Sequence, residues 1–187
     1  MALIVCRKLI KHGVIDAAAI IAYAFSPEAR SGLGGGTREG PGWELLYEAF
    51  DGCVTRQRDG AVRLRKIERR LDDLVRDRAD GREIAATEDD LGRAKHELDQ
   101  ARRDQKQAFA DFFACACKVL SEEHGGASFD QTWRATCVGH VHAVGRLYCN
   151  DINLEAIEMI AQGDGTLTSV REDVFSPLRQ VQFYCGS

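Results

Sequence analysis

The sequence predicts an all-α fold of antiparallel helix pairs, in the manner of a HEAT-like α-solenoid, with a long projecting antiparallel coiled-coil hairpin. No stretch alternates apolar and polar residues with the period of two that is typical of a strand. Residues 51–106 instead carry 15 basic and 14 acidic residues, with no aromatic residue and no proline. Their few apolar residues recur at spacings of three and four, which is the pattern of a coiled coil.

The apolar residues of this charged stretch form two series that Asp80 and Gly81 separate, and the second series continues past residue 106 to Phe112. Together they make up one predicted seam: Leu64, Ile67, Leu71, Leu74, Leu91, Ala94, Leu98, Ala101, Ala108 and Phe112. Because an aspartate followed by glycine suits a turn, we expect two arms that fold back on each other. One continuous helix that dimerises is the alternative. Gly60 and Gly92 each cost a helix interior about 1 kcal/mol relative to alanine.

The N-terminal part of the chain predicts two short helices and a loop. Residues 2–12 suit an amphipathic helix that ends at Gly13. Asp16 is a suitable N-cap for a helix over 17–25, which is almost wholly apolar and is therefore expected at the centre of the core. The glycine-rich segment 30–42 lacks the Gly-Lys-Ser/Thr ending of a phosphate-binding loop, so we interpret it as a surface loop.

Aromatic residues flank the charged stretch on both sides. The segment 43–50 begins a helix with a tryptophan, a tyrosine and a phenylalanine, and three phenylalanines follow the stretch within 109–120. Both arms are therefore expected to begin in one core, as a hairpin at 51–106 inserted in a single helical domain, 1–187. Further helices are expected over 129–148 and 152–162, around 170–175 and from Leu178.

Cysteine and histidine provide the best candidates for a metal site, namely Cys115, Cys117, His140 and His142, with Cys149 as a further ligand. Side chains two residues apart on a helix point about 200° apart, so each pair offers at most one ligand to a given site. We therefore favour core cysteines and surface histidines, and we predict no metal and no cofactor. The seven cysteines, an odd number that falls largely in apolar patterns, indicate a reducing compartment and free thiols.

No residue constellation predicts catalysis. Cys137 and His140 are neighbours at three residues' spacing, but no oxyanion hole or orienting acid accompanies them in sequence. The acidic pairs of the hairpin are interpreted as solvated faces. The chain is predicted not to be an enzyme. Its net charge of −4 also argues against direct tracking of a phosphate backbone, and no apolar run approaches a membrane span.

Four segments carry a family resemblance. They are an apolar helix ending in Phe-Ser within 7–28, Trp-Glu-Leu-Leu at 43–46, Gln-Lys-Gln at 105–107 and a turn at 125–133 closed by a phenylalanine and a tryptophan. In this order, around a long charged coiled coil, they resemble the C-terminal domain of the large subunit of the nuclear cap-binding complex. That domain belongs to the helical class shared with the middle domain of the translation-initiation scaffold. The resemblance extends to about residue 150.

The resemblance implies a non-enzymatic scaffold with specific partners. In that family the domain supports a small RNA-recognition-type subunit, which itself stacks the methylated guanine cap between aromatic side chains. This chain would then reach capped mRNA only indirectly, and would offer surfaces to RNA-processing, export and decay factors. The implied location is the nucleus, with shuttling to the cytoplasm left open.

One expectation and two alternative functions accompany this interpretation. The family's large subunit has further helical domains upstream of this one, and the sequence starts at Met1 without them, so we expect a fragment of a longer protein. The principal alternative function is a generic self-associating coiled-coil module unrelated to RNA. A zinc or thiol-redox protein is a weaker third hypothesis.

Overall fold

Five α-helices form the part of the chain that the structure describes. A computed structural model describes residues 2–11, 14–26, 29, 41–77, 80–122, 131–152 and 179. The helices are α1 (Ala2–Lys11), α2 (Ala17–Ala24), α3 (Pro41–Arg76), α4 (Gly81–Glu122) and α5 (Gln131–Leu147). These ranges contain no strand, which confirms the predicted all-α class. None of the described helices is both long enough and apolar enough to cross a bilayer.

Several expected features fall outside the described residues. They are the glycine-rich loop over 30–40, the turn at 123–130 with its capping residues, and the helices predicted beyond residue 152.

The chain divides into two compact units. Unit 1 comprises Met1–Phe50 and Lys106–Ser187, and unit 2 comprises Asp51–Gln105. Helices α3 and α4 each contribute residues to both units, since the division falls within both helices. The organisation as one domain with an inserted hairpin stays a prediction.

Phenylalanine rings form the centre of unit 1. Phe50 of α3 stacks on Phe109 of α4 with ring centroids 4.8 Å apart, and meets Phe112 edge-on at 5.4 Å. Phe25, which follows α2, lies 5.5 Å from Phe112. Tyr148, at the end of α5, lies 5.7 Å from Phe50. Because Phe50, Phe109 and Phe112 are buried, this cluster joins four helices through large apolar side chains.

Helix α2 begins as the sequence predicts but buries only one face. The Asp16 carboxylate accepts a hydrogen bond from the Ala19 backbone N–H at 2.7 Å, which satisfies an otherwise unpaired donor of the first turn. The residues that face the core are Ile20, Ile21 and Ala24. Tyr23 stays 42 % exposed, and three alanines beside it are exposed as well. The expectation that the whole helix is central to the core is therefore wrong, because its small alanines lie on an uncovered side.

Helix α1 is held to α3 by charge. The Arg7 guanidinium forms ion pairs with Glu44 and Glu48, which are one turn apart on α3 and so lie on the same face. All three side chains are partly exposed, so the ion pairs fix the position of α1 more than they stabilise the fold. Ile4 and Val5 on α1 remain exposed.

Truncation of Phe112 tests the aromatic core. We expect Phe112→Ala to lower the free energy of unfolding by about 3–5 kcal/mol, because the cavity borders several rings that cannot all move in. Urea titration followed by circular dichroism measures this loss. Leu147→Ala is the control, since Leu147 is a large apolar residue that is 66 % exposed, and its change should stay within about 0.5 kcal/mol.

Candidate interaction surfaces

The ten residues of the predicted seam all avoid full exposure. Six of them are half-buried: Leu64, Ile67, Leu71, Leu74, Leu91 and Ala101. The other four are buried: Ala94, Leu98, Ala108 and Phe112. Ala108 and Phe112 belong to unit 1, and the remaining eight belong to unit 2. The eight seam residues of unit 2 therefore lie on its inner side, and its charged residues lie mostly on the exposed side.

Within unit 2, the ends of α3 and α4 pack as an antiparallel hairpin, as predicted. Helix α3 ends at Arg76 and α4 begins at Gly81, so the alternative of one continuous helix does not describe this structure. Two ion pairs join the arms, Arg63 to Glu97 at 2.7 Å and Arg70 to Glu83 at 3.2 Å. Exposure of these side chains keeps their contribution to stability small.

Gly60 lies at the closest approach of the two arms. A Cβ atom built on Gly60 would lie 3.3 Å from Cδ1 of Leu98, tighter than most contacts of this kind. In the sequence this glycine appears only as a cost to the helix. The structure shows the role of the glycine. Because Gly60 has no side chain, the Leu98 side chain fits between the two arms.

The contact between Gly60 and Leu98 sets the register along the hairpin. Counting four residues up α3 and four down α4 places Leu64 opposite Ala94. Continuing the same count places Leu71 opposite Thr87 and Leu74 opposite Ile84. The seam of α4 therefore extends to Thr87, four residues before Leu91, and to Ile84, three residues before Thr87. The regular spacing alone could have identified both positions.

Thr87 is a buried polar residue in this seam. Its hydroxyl donates a hydrogen bond to the Glu83 backbone carbonyl oxygen at 2.9 Å, so burial leaves no unsatisfied donor. Because threonine is not apolar, it interrupts the hydrophobic series that marks the seam. Sequence reasoning missed both Thr87 and the half-buried Ile84 for this reason.

His140 takes part in an aromatic cluster of unit 1. Its ring stacks on the Trp43 indole with centroids 4.1 Å apart and planes 12° apart, and Trp133 lies 5.9 Å from Trp43. The Nδ1 atom of His140 and the Tyr47 hydroxyl are 2.9 Å apart and share a hydrogen bond. His140 is thus half-buried rather than the surface histidine that the sequence suggests. Its partners are too distant in sequence for local spacing to reveal them.

Burial also acts on the Tyr47 hydroxyl beside His140. It raises the pKa of Tyr47 above its ordinary value, and the nearby Arg146 lowers that pKa by a smaller amount. The phenol therefore stays neutral at neutral pH and acts as a hydrogen-bonding group. The hydrogen bond between Tyr47 and His140 fixes α5 against α3, and the neutral phenol places no charge in the core.

The candidate thiols Cys115, Cys117, Cys137 and Cys149 are buried or half-buried free cysteines. Burial raises the pKa of Cys117 to about 11 and also raises the pKa of Cys115, so both remain thiols at neutral pH. A thiol is a poor nucleophile and a poor metal ligand compared with a thiolate. Cys137 is buried as well. Among the residues that the structure describes, no group of three or more potential ligands is arranged to hold a metal ion.

Paired helices around a packed aromatic core, with polar residues largely on the outside, are typical of antiparallel helical folds. A family model described as MIF4G like matches residues 1–144, which is more than half of the chain. The chain therefore belongs to the MIF4G-like family, whose domains are helical scaffolds for interactions with proteins and RNA. No curated protein matches the chain.

Enlarging Gly60 tests the close approach of the arms. We expect Gly60→Leu to lower the free energy of unfolding by about 1–3 kcal/mol, since the added side chain overpacks against Leu98. Gly52→Leu is the matched control, because a Cβ atom there meets nothing within 4 Å. That variant should be neutral or gain up to about 1 kcal/mol from better helix propensity. Equal losses in the two variants, measured by urea titration, would refute the assigned register.

Proposed function

We propose that this chain is a non-enzymatic scaffold domain of the nuclear mRNA cap-binding complex. It supports the small RNA-recognition-type subunit that binds the cap, and it contacts capped mRNA only through that subunit. Membership of the MIF4G-like family over residues 1–144 is the observation that carries the proposal. The family membership supports the scaffold role, and the cap-binding complex is the specific assignment that we add to it.

The order of features around the hairpin supports that assignment. Trp43 of the Trp-Glu-Leu-Leu segment is part of the core of unit 1, where it contacts Phe25 at 5.2 Å. The Gln-Lys-Gln segment at 105–107 spans the change from unit 2 to unit 1. The phenylalanines that follow it enter the aromatic cluster. These segments are the ones on which the resemblance to the large cap-binding subunit rests.

The location of the aromatic side chains favours an indirect role in cap recognition. A protein that binds a single base usually stacks it on exposed aromatic rings. Trp43 is only 5 % exposed, and its ring is already covered by His140. Tyr47 is committed to a hydrogen bond with the same histidine. These side chains maintain the scaffold, so the proposal gives cap stacking to the small subunit.

The proposed setting is the nucleus, where the complex would receive capped transcripts and present them to RNA-processing and export factors. Outer faces of the helices would provide contacts with those factors. The charged hairpin of unit 2 offers such faces, since most of its basic and acidic residues are exposed. Charged surfaces of this kind favour specific and reversible association.

Retention on a cap-analogue resin tests the proposal. The purified chain should pass through a resin that carries 7-methylguanosine triphosphate and should be retained when the small cap-binding subunit of the same organism is added. Free methylated cap analogue should elute both proteins together. A resin with unmethylated guanosine triphosphate is the control and should retain neither protein.

Two results would contradict the proposal. One is retention of the chain without the small subunit, which would make the chain itself a cap-binding protein. The other is passage of the chain through the resin while the small subunit stays bound, with a version of the chain that includes its natural upstream sequence. The second result would leave the family and the fold intact and remove the cap-binding complex as the partner.

A further inference from the structure

Charge is segregated along the hairpin of unit 2. Residues 51–67 and 91–105, which form the half next to the unit boundary, carry nine basic and five acidic residues. Residues 68–90, which include the turn, carry five basic and nine acidic residues. One half is thus +4 and the other is −4, while the whole unit is neutral. A neutral sum built from two opposite halves is the charge pattern of a surface that is complementary to itself.

The two long edges of the hairpin differ. The ion pairs Arg63 with Glu97 and Arg70 with Glu83 join the arms, and all four residues directly precede a seam position. In an antiparallel pair, such residues share one edge, which we call the paired edge. Opposite charges from the two arms neutralise each other there.

The other edge, which we call the open edge, lies on the opposite side of the seam. It contains the residues that directly follow seam positions such as Ile67, Thr87 and Ala94, and the residues three or four positions from them on the same helix. Its exposed charged residues along the middle of the hairpin are Arg65, Glu68, Asp72, Glu88 and Lys95, and toward the unit boundary Asp99 and Arg102 continue the edge as an ion pair with each other. None of the first five forms an ion pair with another described residue. Glu68 of α3 and Glu88 of α4 therefore both lie on this edge with no cation of either arm paired to them.

The five charges also separate by sign along the open edge. Arg65 and Lys95 lie in the half next to the unit boundary, and Glu68, Asp72 and Glu88 lie in the half with the turn. Val75 continues the same row and is 58 % exposed. Gly92 lies on the same side, and a Cβ atom there would meet nothing within 4 Å, so the surface of α4 is open at this point.

We propose that two copies of this chain associate through their open edges, with the hairpins antiparallel. A two-fold axis then brings the acidic half of each hairpin against the basic half of the other. Glu68 and Glu88 of one copy gain the cations Arg65 and Lys95 of its partner, and the reverse contact is identical. A second copy fits better than an unrelated partner because one edge carries both signs in mirrored positions. The inference is independent of the proposed function, since it uses only unit 2.

Salt dependence provides the first test. Analytical ultracentrifugation of the full chain at low ionic strength should show a reversible monomer–dimer equilibrium. In about 1 M salt, where the screening length falls to about 3 Å, the dissociation constant should rise at least about tenfold. A chain that stays monomeric at low ionic strength at its highest attainable concentration overturns the proposal, and so does a dimer that salt does not weaken.

A charge swap provides the sharper test. Arg65→Glu with Lys95→Glu makes the middle of the open edge wholly acidic, and Glu68→Lys with Glu88→Lys makes it predominantly basic. Each double variant alone should be monomeric at low ionic strength, because like charges then meet across the two-fold axis. An equimolar mixture should recover the dimer, since each variant complements the other. Recovery by mixing separates a direct contact from damage to the fold, which circular dichroism of each variant also checks.

The matched control also replaces two basic residues by glutamates, but at positions away from the open edge. Lys66→Glu with Arg103→Glu alters two exposed basic residues away from the open edge and should leave the dissociation constant unchanged. Dimerisation of either swap variant alone as strongly as the native chain would overturn the proposal. A mixture that remains monomeric, with both variants folded, would overturn it as well.

Discussion

The edge-on contact between Phe50 and Phe112 is the interaction on which the rest of unit 1 depends. Both rings are completely buried, and each touches rings from other helices. Large apolar side chains that interlock in this way leave few alternative packings. The consequence is that α2, α3, α4 and α5 take fixed positions from a few side chains. Surface ion pairs such as Arg7 with Glu48 then orient the outer helix at little energetic cost.

Unit 2 has a different source of order. Its seam contains small and aliphatic residues with no aromatic ring, and much of it is only half-buried. The close approach of Gly60 to Leu98 sets its register. Such a hairpin is well suited to charge-based recognition, because it presents long rows of exposed charge on a defined backbone. The MIF4G-like scaffold thus combines a core held by aromatic packing with a surface governed by electrostatics.

Local periodicity in the sequence predicts most of the described helices and the seam, because a coiled-coil repeat depends only on nearby residues. The same logic fails where a residue's role is set by a distant partner. Gly60 counts only as a cost to its helix until Leu98 is placed against it, and His140 cannot be assigned without Trp43 and Tyr47. Apolar composition likewise overstates the burial of α2, since composition does not reveal how many neighbours cover a helix. Thr87 is missed because threonine is not apolar, although its hydroxyl is satisfied by the Glu83 carbonyl oxygen of its own helix.

The central claim is our proposal that the aromatic cluster around Trp43 and His140 serves packing within unit 1 and that a partner, not this chain, binds the cap. Its most direct test is the tryptophan fluorescence of the chain alone, titrated with 7-methylguanosine triphosphate. The chain has two tryptophans, and Trp43 is covered by His140 while Trp133 lies beside it. The account predicts emission that does not change beyond the inner-filter correction. Saturable quenching that unmethylated guanosine triphosphate does not reproduce would contradict it.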